Sequence, residues 1–242
     1  MQEIRTTQLV KQYKNLTAVD KLGLEIQQGE LFSLLGVNGA GKTTAIKMLS
    51  CLTKPTGGDA VVDGHSIVTE SESVKQVIGV SPQETAVAPN LSVKENLELM
   101  CGVHGFAKNT FPGKIAEVSA LLGLTPVMTK RAKTLSGGFQ RRLSIAMALV
   151  GDPEILFLDE PTLGLDVLAR SDLWDLIRSL KGKVTVILTT HYMEEAEALS
   201  DRVAIMREGK LLICDTAAAI KERAGTDSFE QAFIRIVKGA NK

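Results

Sequence analysis

A chain of 242 residues is longer than the usual compact domain, which leaves room for one large α/β domain or for a core carrying a subdomain. Lysine plus arginine number 28 and aspartate plus glutamate also number 28, a balance that argues against a nucleic-acid footprint or wholesale adsorption to anionic lipid. Cys51, Cys101 and Cys214 form no CxxC pair and no metal spacing, so a disulfide scaffold is not expected and a cytosolic chain is.

The first residues, MQEIRTTQLVKQYKN, lack the basic head, apolar core and cleavage site of a leader. No run of about 18 uninterrupted apolar residues occurs, so neither entry into a membrane nor a span across one is expected. Short β-prone runs follow: TAVDKLGLEI, ELFSLLG and DAVVDGHSI, the last with Asp63-Gly64 as a hairpin turn. They predict an antiparallel β region beside the segment GVNGAGKTT. That segment joins the apolar run ELFSLLG to a helical pattern with Ile46, Leu49 and Leu52, the strand, GxxxxGK loop and helix of a phosphate-binding site. Gly36, Gly39 and Gly41 let successive amides face the phosphates, Lys42 supplies charge, and Thr43 offers a hydroxyl to Mg²⁺.

From about residue 88 to residue 150 the pattern turns helical, in SVKENLELMCGVHG, KIAEVSALLGL and FQRRLSIAMALV. This predicts one domain over residues 1–242, in which a helical subdomain, 88–150, is inserted into a catalytic core with its β region, 1–87 and 151–242. After it, EILFLDE, KVTVILTTH and DRVAIM alternate with the helical LWDLIRSLK and MEEAEALS. Continuous apolar runs separated by helices imply parallel strands buried on both faces. REGK then makes a hairpin turn into LLICD, and helical segments close the chain.

Ligands of such sheets bind at the carboxyl ends of the strands. EILFLDEPT places Asp159 and Glu160 there: Asp159 can hold Mg²⁺ through water and Glu160 can orient or deprotonate an attacking water, unless the two are an ordinary solvated acidic pair. His191 follows VTVILTT, where a neutral imidazole could contact a terminal phosphate, while His65 and His104 read as structural or solvated. Gln83 in IGVSPQE could reach Mg²⁺ or water through its amide, a weak signal on its own. Tyr13 in KQYKN either stacks on adenine or packs on a sheet. LSGGFQ adds a second anion-attracting place, since the Ser136 hydroxyl and the amides of Gly137 and Gly138 open a helical run.

GVNGAGKTT, SPQ, LSGGFQRR, ILFLDEPT, LGLD and TTH, in that order, resemble the ATP-binding cassette family, specifically the nucleotide-binding subunit of an ABC transporter. The likeness extends over nearly the whole chain, and LSGGxQ just ahead of LFLDEP is far more specific than a phosphate loop alone. It implies an α/β fold: a P-loop NTPase (RecA-like) core with a parallel sheet, an N-terminal antiparallel β subdomain and an inserted α-helical subdomain. It also implies an ATPase that uses ATP and Mg²⁺. Residue by residue, the resemblance makes Tyr13 the adenine-stacking aromatic and assigns Gly36, Val37, Asn38, Gly39, Ala40, Gly41, Lys42, Thr43 and Thr44 to the phosphate and Mg²⁺ site. Gln83 becomes the lid glutamine, Glu160 the general base, Asp166 of LGLD a dimer contact and His191 the switch histidine. In the family two cassettes pair head to tail, so that Ser136, Gly137 and Gly138 of one close on the nucleotide of the other; a homodimer is the expectation here.

Two positions depart from the family pattern, Val37 and Val167, where proline is frequent; neither removes a polar ligand. The tail TAAAIKERAGTDSFEQAFIRIVKG and the stretch THYMEEAEALSDRVAIM look like cassettes serving bacterial exporters of drugs, sodium ions or cell-surface polymers. An importer cassette and a soluble ATPase of the iron–sulfur assembly type are the alternatives. The implied partners are integral membrane permease subunits and a second cassette, not nucleic acid, and the implied location is the cytoplasmic face of the membrane, reached through the permease.

Overall fold

The computed structural model describes residues 2–239. Strand β1 (Gln2–Tyr13) is the centre of an antiparallel sheet, paired with β2 (Leu16–Leu22) and β3 (Glu25–Gln27). β4 (Leu31–Leu35) founds a second sheet, and α1 (Lys42–Leu49) follows it. β5 (Gly57–Val62) then returns to β1 and turns through Asp63-Gly64, at φ 45° and 81°, into the short β6 (His65–Ser66). The length of β1 is absent from the sequence reading, and the reason is local. Gln8 adopts φ 49° inside a register shift between Thr7 and Val10, so the buried positions change parity, from Ile4 and Thr6 to Leu9. A bulge of this kind erases the two-residue alternation by which a strand is recognised.

α2 (Ser71–Val77) leads into β7 (Ile78–Ser81), a short edge strand that the sequence reading also lacks. Next come α3 (Val93–Val103), α4 (Phe111–Leu121) and α5 (Gly137–Leu149). Strand β8 (Ile155–Asp159), α6 (Val167–Leu180), β9 (Thr185–Thr190), α7 (Met193–Leu199) and β10 (Arg202–Arg207) then alternate. β11 (Lys210–Asp215), α8 (Ala217–Ala224) and α9 (Phe229–Gly239) complete the chain. The second sheet runs β11-β10-β4-β9-β8-β7, parallel except for β11, which returns through Glu208-Gly209.

Every residue of β4, β8 and β9 is buried, as continuous apolar strands between two covering layers must be. Alternate side chains go to opposite layers: Leu156 and Leu158 of β8 join the helices α3 to α6, whereas Ile155 and Phe157 join α1 and the antiparallel sheet. Leu35, Val203 and Ile205 make a third cluster with the C-terminal helices through Phe229 and Phe233. The apolar faces of α3, α4 and α5 are continuous with one face of the parallel sheet. Among the described residues no helix is long and apolar enough to cross a membrane.

Candidate functional site

The loop after β4 is shaped by close approach of backbone to backbone. A Cβ on Gly36 would lie 2.5 Å from the Met206 carbonyl oxygen, and one on Gly41, at φ 101°, would lie 2.3 Å from that of Ala18. Glycine is therefore required at both ends of the loop. Gly41 caps α1, which aims the N-terminal amides of that helix at the loop's concave side. Lys42 folds back over this concavity, its Nζ donating to the Gly36 carbonyl at 2.7 Å and the Val37 carbonyl at 3.4 Å.

β8 and β9 deliver the acidic and imidazole groups at their carboxyl ends. Glu160, at φ 49° just past β8, donates its backbone N–H to the Thr189 hydroxyl at 2.9 Å. Its buried carboxylate is held from two sides, with Oε1 3.3 Å from Lys42 Nζ and Oε2 2.7 Å from His191 Nδ1. A non-glycine residue in the left-handed region is sparsely populated backbone, stored here at the point where the carboxylate turns into the cleft. Asp159 lies one step inward: its Oδ1 accepts from the Thr43 hydroxyl at 3.1 Å and also from the Thr189 hydroxyl.

A cleft of about 570 Å³ opens over these groups, lined by Tyr13, Asn38, Gly39, Ala40, Gly41, Lys42, Thr43, Thr44, Gln83, Glu160 and His191. Gly36 and Val37 are not among the lining residues and meet the cleft only through Lys42, to which their carbonyls are bound, and Asp159 reaches it through Thr43. Leu16, Thr17, Ala18, Leu163 and Glu208 complete the lining and were not singled out in the sequence. Leu16 faces Tyr13 across the β1–β2 hairpin, a signal readable only once β1 is known to be a strand. The Thr43 hydroxyl and the Asp159 carboxylate, already in contact, are hard oxygen donors of the kind Mg²⁺ takes when phosphates and water fill the remaining positions. Among the described residues no group of three His, Cys, Asp or Glu side chains could hold a metal by itself.

Ser136, Gly137, Gly138 and Asp166 do not line this cleft. Ser136 caps α5 by accepting from the Phe139 N–H at 3.4 Å, and Asp166 caps α6 by accepting from the Ala169 N–H at 2.9 Å. A Cβ on Gly137 would lie 3.7 Å from Leu165 and one on Gly138 3.3 Å from Ala169, so the start of α5 rests against the LGLD segment. Ser136, Gly137 and Asp166 are exposed. A further residue not singled out in the sequence connects the two places. Arg141, on the second turn of α5 and only 5% exposed, donates to the carbonyls of Pro82 at 2.7 Å and Gln83 at 2.6 Å. In the sequence it is one of two adjacent arginines, Arg141 and Arg142, and nothing local marks it as the buried one.

The family model described as "ABC transporter" matches residues 19–163. The chain is 40% identical over 225 residues to the daunorubicin/doxorubicin resistance ATP-binding protein of Streptomyces peucetius, which covers 93% of this chain and 68% of that protein. It is 38% identical over 212 residues to the human phospholipid-transporting ATPase ABCA3, covering 88% of this chain and only 12% of that much longer protein. Among solved structures it superposes on the ATP-binding subunit of an ABC transporter with a TM-score of 0.85 at 23% identity, covering 97% of this chain and 99% of that one. A dimeric ATP-binding cassette in a post-hydrolysis state, bound to ADP and phosphate, superposes with a TM-score of 0.79 at 25% identity, covering 88% and 98%.

Proposed function

The chain belongs to the ABC transporter family and is an ATPase of that family, and from this premise we propose that it powers an exporter by pairing head to tail with a second copy of itself, docked on separate membrane permease subunits. The observation that carries this reading is the separation of two anion-facing places on one chain. The loop cleft holds Glu160 between Lys42 and His191, while the capped N-terminus of α5 stands exposed outside it. A half-site with ready amides, set apart from its own chain's loop cleft, suits a nucleotide presented by another chain.

In this reading Tyr13 stacks on adenine, and residues 36–44 cradle the phosphates. When Lys42 turns to the phosphates, Glu160 is released from its 3.3 Å ion pair and keeps the His191 contact, which leaves one carboxylate oxygen to accept the proton of an attacking water. His191 and the amide of Gln83 face the terminal phosphate and the water. Mg²⁺, held by Thr43, Asp159 and Gln83, would neutralise charge on the phosphate oxygens. Ser136, Gly137, Gly138 and Asp166 meet the partner's nucleotide. Residues 88–150 serve as the helical subdomain upon the core of 1–87 and 151–242, and the chain sits at the cytoplasmic face of the membrane through its permease. Likeness to a drug-resistance ATP-binding protein supports export.

The test uses Glu160→Gln, which preserves the shape of the site and removes the base. Light scattering should find a monomer without nucleotide and a dimer with Mg-ATP. Adding Ser136→Arg or Gly138→Asp places bulk or negative charge where the partner's phosphate approaches, and these double variants should bind a fluorescent ATP analogue yet stay monomeric. Dimers that persist in the double variants overturn the head-to-tail reading; ATP binding lost together with the dimer would assign LSGGFQ to its own chain's nucleotide.

A further inference from the structure

Among the described residues one buried side-chain polar atom lacks a hydrogen-bond partner, Oε2 of Glu195 on α7, a residue with no exposed surface. Its other oxygen, Oε1, accepts from the Thr162 hydroxyl at 2.8 Å and from the Trp174 indole N–H at 3.0 Å. Thr162 lies two residues after Glu160, in the turn that leaves β8, and the side chain of Thr190, the residue before His191, also lies against the Glu195 carboxyl. One buried group thus touches both segments that carry the 2.7 Å contact between Glu160 and His191. We propose that Glu195 is a positioning residue for ATP hydrolysis, tying the turn after Glu160 to the strand end before His191 so that base and imidazole keep their mutual geometry. This rests on the ATPase reading given above.

The surroundings of Glu195 favour its uncharged form. It takes part in none of the ion pairs among the described residues. The charged groups that face it are Glu160 beyond β8 and Arg141 on α5, opposite in sign, and Arg141 is bound to the carbonyls of Pro82 and Gln83. On α6, Arg170 lies 3.7 Å from the neighbouring Glu194 and over the Trp174 ring. A buried carboxylate with one bare oxygen is costly, whereas a carboxylic acid carries its proton on that oxygen. Burial accordingly pushes the Glu195 pKa up from its ordinary value, outweighing the Thr190, Thr162 and Trp174 side chains that oppose it.

Full-length protein and its Glu195→Gln, Glu195→Leu and Thr162→Val variants would be compared by ATPase kinetics and by thermal unfolding between about pH 6 and 9. The neutral isostere Glu195→Gln should keep kcat within about twofold, while Glu195→Leu and Thr162→Val should lower kcat roughly tenfold at unchanged KM, as expected when a reacting geometry loosens. The folded acid holds a proton that the unfolded chain releases near the ordinary carboxyl pKa of 4.5, so wild-type stability falls as pH rises toward the folded-state pKa. Glu195→Gln lacks this slope, and its Tm advantage should widen with pH. If Glu195→Leu does not fold, Thr162→Val carries the kinetic arm. A Glu195→Gln protein less stable than wild type at pH 8, or kcat unchanged in Thr162→Val, overturns the proposal. A wild type that hydrolyses no ATP would instead overturn the ATPase reading, with the unfolding series still deciding whether Glu195 is neutral.

Discussion

The loop cleft and the start of α5 both present helix N-terminal amides to an anion, yet they are finished to different degrees. In the cleft every charged group already has a counterpart: Lys42 is 5% exposed and bound to a carbonyl and a carboxylate, and Glu160 is held between a cation and an imidazole. At α5 the Ser136 hydroxyl is occupied by its own cap and the flanking surface is open. The difference teaches that a site built inside one chain is pre-paired against the low dielectric of its own walls, whereas a site that in the proposed reading is completed by a second chain is left solvated in the isolated one. In the first, removing one group strands its partner; in the second, substitutions leave the isolated chain intact and act on association.

Lys42→Ala gives the largest effect and breaks the comparison on the cleft side. Charge-assisted hydrogen bonds contribute about 1.5 to 3 kcal/mol each, and Lys42 should make more than one to the phosphates, so calorimetric ATP affinity should fall tenfold or much further. Unchanged affinity would remove Lys42 from the site.

Arg141→Met tests the connection between the two places. Its guanidinium is the buried tie from α5 to the Pro82 and Gln83 carbonyls, and those acceptors would lose their donor. Denaturant unfolding should reveal a loss of about 2 to 4 kcal/mol, with Arg141→Lys recovering part of it. ATP affinity of the monomer should stay close to wild type. A stability change below the error of the measurement would make the tie dispensable.

Tyr13→Ala gives the smallest effect, because this wall of the cleft is solvated: the ring is 45% exposed and lies under Lys11 Nζ, 5.0 Å from its centroid. Stacking on a base is worth about 1 to 3 kcal/mol, and the low end is expected here, roughly a fivefold loss for ATP. Competition by inorganic triphosphate should not change. Wild-type ATP affinity would mean that Tyr13 only packs on the β1–β2 hairpin.

Much of the chemistry was legible along the chain because it is local. The GxxxxGK loop needs its strand before and its helix after, and all three are neighbours in sequence. The hairpin at Asp63-Gly64 announces itself through two residues that tolerate positive φ, and the one at Glu208-Gly209 through its glycine. Buried strands β4, β8 and β9 read as continuous apolar runs, and Asp159, Glu160 and His191 could be placed at strand ends without knowing which strands adjoin. β1 and β7 were not legible: a bulge at Gln8 breaks the period of the first, and the second has only four residues.

By itself, then, the sequence determined the α/β alternation, the loop between β4 and α1, the acidic and imidazole residues at the strand ends and the cassette likeness, since each depends on spacing within a few residues. Tertiary structure alone decided which of them meet. Glu160 reaches His191 across 31 residues only because β8 and β9 are adjacent in the sheet, and Arg141 reaches Gln83 across 58 because α5 packs over β7. Glu195 reads in MEEAEAL as one more acid on a helix, and only the packing of α7 against α6 and β9 buries it. Hydrophobic periodicity reports which face of an element turns inward; it carries no record of which other element that face will find, and that choice is made by the order of strands in the sheet.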